Sequence, residues 1–347
     1  MQPIKQRTNM TFTIGIIGVG QIGASIGLGL KAKGATERIL GHDRDRQTGR
    51  IAETMGAVDS MTNLRDSVKD SAIVFLCLPL CEMRGVLAEI GPILRENAIV
   101  IDTAPIKGQV MRWAADTIPA GRFHLGLVPT VNPALLTGTD FGVRAANAEL
   151  FRRTIMMVVT QPNTPEEVEQ LGMNIARLLG AKPMLIDPAE ADGIMTTAHV
   201  VPQLASASLI EASLAAGGWA EARKLAGRPF SSVTGGMAYF DDPDSVAAAA
   251  LSNPSRVVHG LDVLIAALHG LREDIAEHDE KSVDERLMQS YRSREKWLDD
   301  RNDAQWLSEG EEPVDLPGLG EHLTHLFFGG RIAEATKNLG EPRRDRK

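Results

Sequence analysis

The stretch Thr13–Leu30, TIGIIGVGQIGASIGLGL, decides the fold. Its opening residues, TIGIIG, are β-branched or glycine and suit a strand covered on both faces. Gly18-Val19-Gly20-Gln21-Ile22-Gly23 then fits GxGxxG, and a helical pattern runs on through Leu30. Strand, glycine turn and helix in that order make a phosphate cradle. Gly18 permits the tight turn, Gly20 lets a pyrophosphate approach the backbone, and Gly23 lets helix and strand pack closely. Gln21 and Ile22 lie in the helix's first turn, whose unpaired N–H groups face the phosphates. Asp43 stands twenty residues beyond Gly23 and ends a second strand, RILGHD. An acid there accepts from the adenosine ribose hydroxyls. It favours NAD, because a carboxylate repels a 2′-phosphate. Arg44 and Arg46 follow and soften that preference, so NADP stays possible. Leu78, Pro79 and Thr103, at the ends of later strands, complete the candidate cofactor set. No second flavin signature accompanies the turn, which makes FAD the poorer fit.

Outward from this unit, short apolar runs alternate with helical patterns up to about residue 187. The strand candidates are TIGIIG (13–18), RILGHD (38–43), AIVFLCLP (72–79), AIVIDT (98–103), FHLGLV (123–128), TIMMVVT (154–160) and PMLID (183–187). The helix TPEEVEQLGMNIARLLG opens with Thr164 and Glu167, spaced as a capping box. Such alternation predicts a Rossmann-type, doubly wound parallel sheet of the α/β class. After Asp187 the strand signals vanish. An Ala-rich helical run follows, with Pro202 as a kink. Then come a loop near GRPFSSVTGG and two more helical stretches, the first opening at SNPSRVV. The expected organisation is a dinucleotide-binding domain (1–187), an all-helical dimerisation and substrate domain (188–335) and a disordered tail (336–347). A chain of 347 residues is long enough for two such cores.

Composition narrows the function. Hydrophobic content of 43% and charged content of 24% are those of an ordinary globular protein. A net charge of −8, with no basic stripe, argues against nucleic acid. Cys77 and Cys81 have no second pair to complete a zinc site, and read as reduced thiols of a cytoplasmic protein. His322 and His325 lack a third metal ligand, so no metal is expected. MQPIKQRTNM has no apolar signal core, and the glycines within 14–30 argue against a membrane span.

The pieces IGIIGVGQIGASIGLGLK (14–31), GHDRD (41–45), VFLCLP (74–79), VIDTAPIKG (100–108) and GVRAANAELF (142–151) resemble, in this order, the prephenate/arogenate dehydrogenase family. The resemblance spans roughly residues 12–300. It implies a Rossmann domain joined to a helical domain that dimerises. It also implies NAD(P)-dependent oxidation of a ring alcohol with loss of CO2 and aromatisation, on the route to tyrosine. In that family a His begins the substrate loop, in a His-Pro-Met-Ala-Gly pattern. Here the loop reads VPTVNP, with Val128 at the His position and Pro129 kept. The family's Ser in Asp-x-x-Ser-x-Lys is replaced by Pro105, and its substrate-binding Arg by Gly235 or a neighbour. Gln203 stands where a His often follows the helix proline. Four substrate-side positions therefore depart together while the cofactor side is intact. The expectation is a family member with a changed substrate or mechanism. The alternatives are a true prephenate or arogenate dehydrogenase with rearranged catalytic groups, or an inactive NAD(H)-binding relative.

Among the remaining polar residues, His199 is the best acid/base by residue type, one turn before Pro202; a buried His bonded to backbone is its structural alternative. Asn132 either bonds a substrate oxygen or caps a helix starting at Pro133. Thr130 is a weaker candidate of the same kind. Lys107 either binds a carboxylate or is a solvated helix lysine. His124 points toward the sheet. Arg223, Lys224 and Arg228 border the loop expected to close the cleft. The expected ligand is a small molecule carrying a carboxylate. A β-hydroxyacid dehydrogenase would need a Lys with an Asn four residues on, and MTTAHVVPQLASAS has neither. Long helices rich in Ala and Leu predict a homodimer.

Overall fold

The computed structural model describes residues 12–36, 38–136, 140–237 and 242–304. The opening stretch forms β1 (Thr13–Ile17), a turn and α1 (Gln21–Ala32). β2 (Arg38–His42), α2 (Arg46–Thr54), the two-residue β3 (Ser60–Met61) and the short α3 (Leu64–Val68) follow. Then come β4 (Ser71–Leu76), α4 (Leu80–Ile90), β5 (Ile99–Asp102), α5 (Gly108–Thr117) and β6 (Phe123–Pro129). β7 (Ile155–Val159), α6 (Glu166–Leu178) and β8 (Lys182–Ile186) complete the sheet. Its strand order is β3-β2-β1-β4-β5-β6-β7-β8.

Both faces are covered, as the apolar strands require. β4 is buried at every position. Ile14, Ile16, Phe75 and Ile101 pack against α1 and α6 on one face. Ile17, Val74, Leu76 and Val100 pack against α4 and α5 on the other. This second cluster continues into Val200, Ala249 and Val257, so the helices beyond the sheet share its core.

The sheet departs from the all-parallel expectation at one seam. β7 runs antiparallel to β6, with Gly126 opposite Val159 and Pro129 opposite Met156, and β8 runs parallel to β7. Between β6 and β7 the described chain makes only 3₁₀ turns, at Pro133–Leu135 and Gly142–Ala145. Without a crossover helix the chain re-enters the sheet from the end it left, and the strand must reverse. Between β7 and β8 the crossover is α6, and direction is kept.

After β8 every described element is helical: α7 (Pro188–Met195), α8 (Val201–Ala215), α9 (Trp219–Leu225), α10 (Arg228–Thr234), α11 (Pro243–Ser252), α12 (Pro254–Ala276) and α13 (Glu280–Asp303). Asp187 caps α7, accepting from the N–H groups of Ala189 and Glu190. Between α7 and α8 lies one π turn, Thr196–Val200, immediately before Pro202. A proline cannot donate the α-helical bond, and the ladder shifts by a residue just ahead of it. The expected kink is thus a π turn. Asn253 caps α12, accepting from Arg256 N, with Pro254 next, as an Asn-Pro start predicts.

Two local expectations are corrected. GRPFSSVTGG is not a plain loop: Pro229 lies in the first turn of α10. No capping box forms at Thr164. Pro165 takes the cap position, and Thr164 Oγ1 instead accepts from Gln161 N. The acids Glu166, Glu167 and Glu169 still fill the first turn, where the helix dipole favours them. The proposed tail 336–347, His322 and His325 lie outside the described residues.

Candidate functional site

The glycine turn follows the demands of its backbone. Gly18 has φ +84°, and a Cβ there would sit 2.2 Å from Cys77 O. A Cβ on Gly23 would sit 2.0 Å from Gly18 O. At Gly20 a Cβ would meet nothing within 4 Å. Two glycines are therefore fixed by packing, while the third faces open space above the turn. α1 has no side-chain cap and no acid in its first turn. Its orphan N–H groups, with that space beside them, suit a diphosphate. Ile22 packs its side chain against the core and offers only its N–H. Gln21 donates to Ala145 O at 3.4 Å.

Asp43 sits where the sequence placed it, beside this turn. Its Oδ2 accepts from Val19 N at 2.9 Å, and its Oδ1 from Asp45 N at 2.9 Å. A carboxylate has about four lone-pair sites, so capacity for ribose hydroxyls remains. Arg44 forms an ion pair with Glu82 of α4. Leu78 and Pro79 line the exit of β4, and Pro79 begins α4. Thr103 N donates to Leu76 O at 3.0 Å, joining the β4 and β5 ends. The proposed cofactor residues thus gather at the carboxyl ends of β1, β2, β4 and β5, around the point where strand order reverses.

The substrate-side candidates are arranged differently. Lys107 is neither a solvated lysine nor open to a carboxylate ligand: it is fully buried. Its Nζ donates to Asp102 Oδ1 at 2.6 Å, Asp102 O at 3.1 Å and Leu127 O at 3.1 Å. All three ammonium protons are used. The side chain lies over Gly126, where a Cβ would come 2.7 Å from Lys107 Cδ. Asp102 Oδ2 also meets His124 Nε2 at 3.0 Å, and its Oδ1 accepts from Ala104 N. Burial works to raise the Asp102 carboxyl, but the Lys107 charge and the His124 bond hold it below its usual range. Burial lowers Lys107, against the pull of Asp102. Asp192 of α7 accepts from Lys107 N at 2.6 Å and Gly108 N at 3.1 Å, capping α5 from the helical half. Burial raises Asp192 despite those bonds. Cys77 lies near this group, and burial pushes its thiol up to about 12. The sequence named Lys107 and His124 separately; the buried network joining them was missed. Gly126, beside Asp102 and two residues after His124 on one strand face, was its only local signal.

Asn132 resolves to its capping role. Its Oδ1 accepts from Ala134 N at 3.1 Å and its Nδ2 donates to Glu149 O at 3.1 Å. Thr130 donates to Ile155 O at 2.6 Å. Both loop side chains therefore hold the loop's own shape. Val128 is 2% exposed and packs with Met111, Met157, Val159, Ile186 and Ala191. His199 is half-buried in the π turn, and its carbonyl accepts from Gln203 Nε2 at 3.2 Å. His199 and Gln203 are thus brought together on one helix face, while Asn132 and Thr130 stand on the loop after β6. Pro105 is half-buried after β5, and Gly235 follows α10. Arg223, Lys224 and Arg228 are exposed, with Lys224 paired to Glu221. Arg301, near the end of α13, was not foreseen. Its Nη2 donates to Val131 O at 2.6 Å, so the last described helix grips the loop after β6.

Comparison with known proteins bears on this arrangement. Residues 26–185 match the family model described as the nucleotide-binding domain of prephenate dehydrogenase, starting just past the glycine turn. Over these residues, less than half of the chain, it is similar to the nucleotide-binding domain of that family. A cyclohexadienyl dehydrogenase of Zymomonas mobilis is 26% identical over 291 residues, covering 81% of this chain and 94% of that protein. A prephenate dehydrogenase of Bacillus subtilis is 27% identical over 204 residues, covering 58% of this chain and 53% of that protein. In fold, the chain is similar to prephenate dehydrogenase of A. aeolicus, solved with hydroxyphenyl propionate and NAD+. There the TM-score is 0.71 at 20% identity, over 84% of this chain and 99% of that one. Synechocystis arogenate dehydrogenase gives a TM-score of 0.61 at 24% identity, over 82% of this chain and all of that one. The family likeness thus lies in the nucleotide-binding half, and the likeness of fold extends into the described helical half.

Proposed function

We propose that this protein is an NAD-dependent dehydrogenase that oxidises a hydroxyl-bearing carboxylate and differs from its relatives in substrate or mechanism. The observation that carries the reading is Val128. The end of β6, where the family's His belongs, is occupied by an apolar side chain buried among five apolar neighbours. The cofactor side, by contrast, keeps Gly18, Gly20, Gly23 and Asp43 in register.

The roles follow from the residues. Gly18 and Gly23 hold the turn, Gly20 leaves room for the diphosphate, and Asp43 receives the adenosine ribose. A bound nicotinamide supplies the hydride acceptor. A carbinol releases hydride only if its O–H proton is drawn off as well. We assign that proton to an imidazole nitrogen of His199. Lys107, buried with all three ammonium protons donated, cannot accept it, and Asn132 and Thr130 are not bases at neutral pH. The buried network under the β5 and β6 ends fixes the floor of the site. We read residues 1–187 and 188–335 as the two functional units, and the protein as a cytoplasmic homodimer. Free Cys77 and Cys81 fit a reducing compartment. Leu225, Leu251, Val263 and Leu268 expose apolar surface that a second copy would cover.

A second reading is a true prephenate or arogenate dehydrogenase of tyrosine biosynthesis with rearranged catalytic groups. What favours it is the cyclohexadienyl dehydrogenase, aligned over 94% of its own length. Assaying NADH formation with prephenate, arogenate and a panel of cyclic and linear hydroxy acids separates the two. The proposed reading predicts turnover of a hydroxy acid from the panel and none of prephenate or arogenate. Turnover of prephenate or arogenate at rates comparable with the others would favour the second.

A further inference from the structure

Arg44 and Glu82 come from opposite sides of the nucleotide crevice. Arg44 follows β2 and Glu82 lies in the first turn of α4, after β4. β2 and β4 flank β1, whose glycine turn lies between them. The two side chains nevertheless meet as an ion pair, with Arg44 77% and Glu82 26% exposed. Nothing in the expected chemistry uses Glu82. Its position next to Asp43 gives the pair a meaning.

A 2′-phosphate on the adenosine ribose needs a cation beside the residue that holds that ribose. Arg44, adjacent to Asp43, is the nearest such cation in sequence. Glu82 engages its guanidinium and adds a second negative charge at the same rim. A dianionic phosphate would have to break the pair and accept two carboxylates as neighbours. An uncharged 2′-hydroxyl meets neither cost. We infer that Glu82 is a specificity-determining residue, which by holding Arg44 makes the site select the dinucleotide without a 2′-phosphate. The inference rests on the dinucleotide-binding reading above and deepens it. Arg46, exposed at the start of α2, is a second cation near Asp43 in sequence.

The test is direct binding, free of any substrate. Dissociation constants for NAD+ and NADP+ are measured by calorimetry on the full chain, for wild type, Glu82→Gln and the double variant Arg44→Ala/Glu82→Gln. Wild type should prefer NAD+. Glu82→Gln should tighten NADP+ about three- to tenfold, from the freed exposed pair and the removed charge, and leave NAD+ within about twofold. The double variant should lose the gain, and the gain should shrink at high salt. An unchanged NADP+ constant in Glu82→Gln, or a gain that survives removal of Arg44, overturns the inference while leaving the dinucleotide site standing. A wild type that binds neither dinucleotide overturns the site itself.

Discussion

At the scale of single residues, what each position tolerates decides its role. Gly20 is the cleanest case. A Cβ there touches no protein atom within 4 Å, so Gly20→Val should cost stability only about 1 kcal/mol, through the poorer N-cap of α1. It should weaken NAD+ about tenfold or more, near 1.4 kcal/mol, by filling the space for the diphosphate. Calorimetry and a melting curve on one sample check both halves. Val128 gives the complementary case. Val128→His places an imidazole in an apolar cluster, at a cost of about 1–3 kcal/mol for a buried polar group without a partner. The variant should melt earlier and gain no activity on prephenate. Asp43 and the glycines were legible because one backbone geometry or one hydroxyl pair demands one residue type. Lys107 was not. Its partners Asp102, Leu127 and Asp192 span β5, β6 and α7, and no local pattern distinguishes a surface lysine from a buried one whose charge is fully paired.

At the scale of elements, the buried network ties strands and helices together. Lys107→Met leaves Asp102 ionised and buried with fewer partners, and urea unfolding should show a loss of about 3–5 kcal/mol. Asp192 makes a pH-dependent contribution of the opposite sense. Its folded pKa is raised by burial above 3.8, so the folded state holds that proton more tightly than the unfolded one. Stability from this group is greatest in acid and declines as pH rises above 3.8 through the folded pKa. The stability difference between wild type and Asp192→Asn should therefore narrow with rising pH across that window. A difference that widens contradicts the assignment. Strand existence was readable here, because seven apolar runs marked seven strands. Two-residue β3 was too short to leave a pattern. The reversal at β7 left none either, since an apolar strand reads alike in both directions. Helix starts at Asp187 and Asn253 were written in cap residues. The π turn before Pro202 was visible only as a kink.

At the scale of the whole molecule, the helical half carries much of the exposed apolar surface. α12 and α13 expose Val263, Leu268, Leu287 and Trp297, more apolar surface than a lone helix pair keeps in water. Sedimentation at micromolar protein should give a dimer, and Leu268→Glu combined with Trp297→Glu should shift it toward monomer. A wild-type monomer would refute the expectation. Arg301 joins α13 to the loop after β6, so changes in the helical half should reach that loop. That link was beyond the sequence, because its two ends lie 170 residues apart. The proposed division of labour between a kept cofactor side and a changed substrate side, however, was an expectation of the sequence, drawn from Val128, Pro105, Gly235 and Gln203.

The most direct test of that division pairs two readings on one preparation of wild-type protein: NAD+ affinity by calorimetry, and NADH formation with prephenate and with arogenate. The proposed function predicts saturable NAD+ binding with no turnover of either compound. Robust turnover of prephenate or arogenate would contradict it, and would mean that other groups do the work of the missing His at Val128.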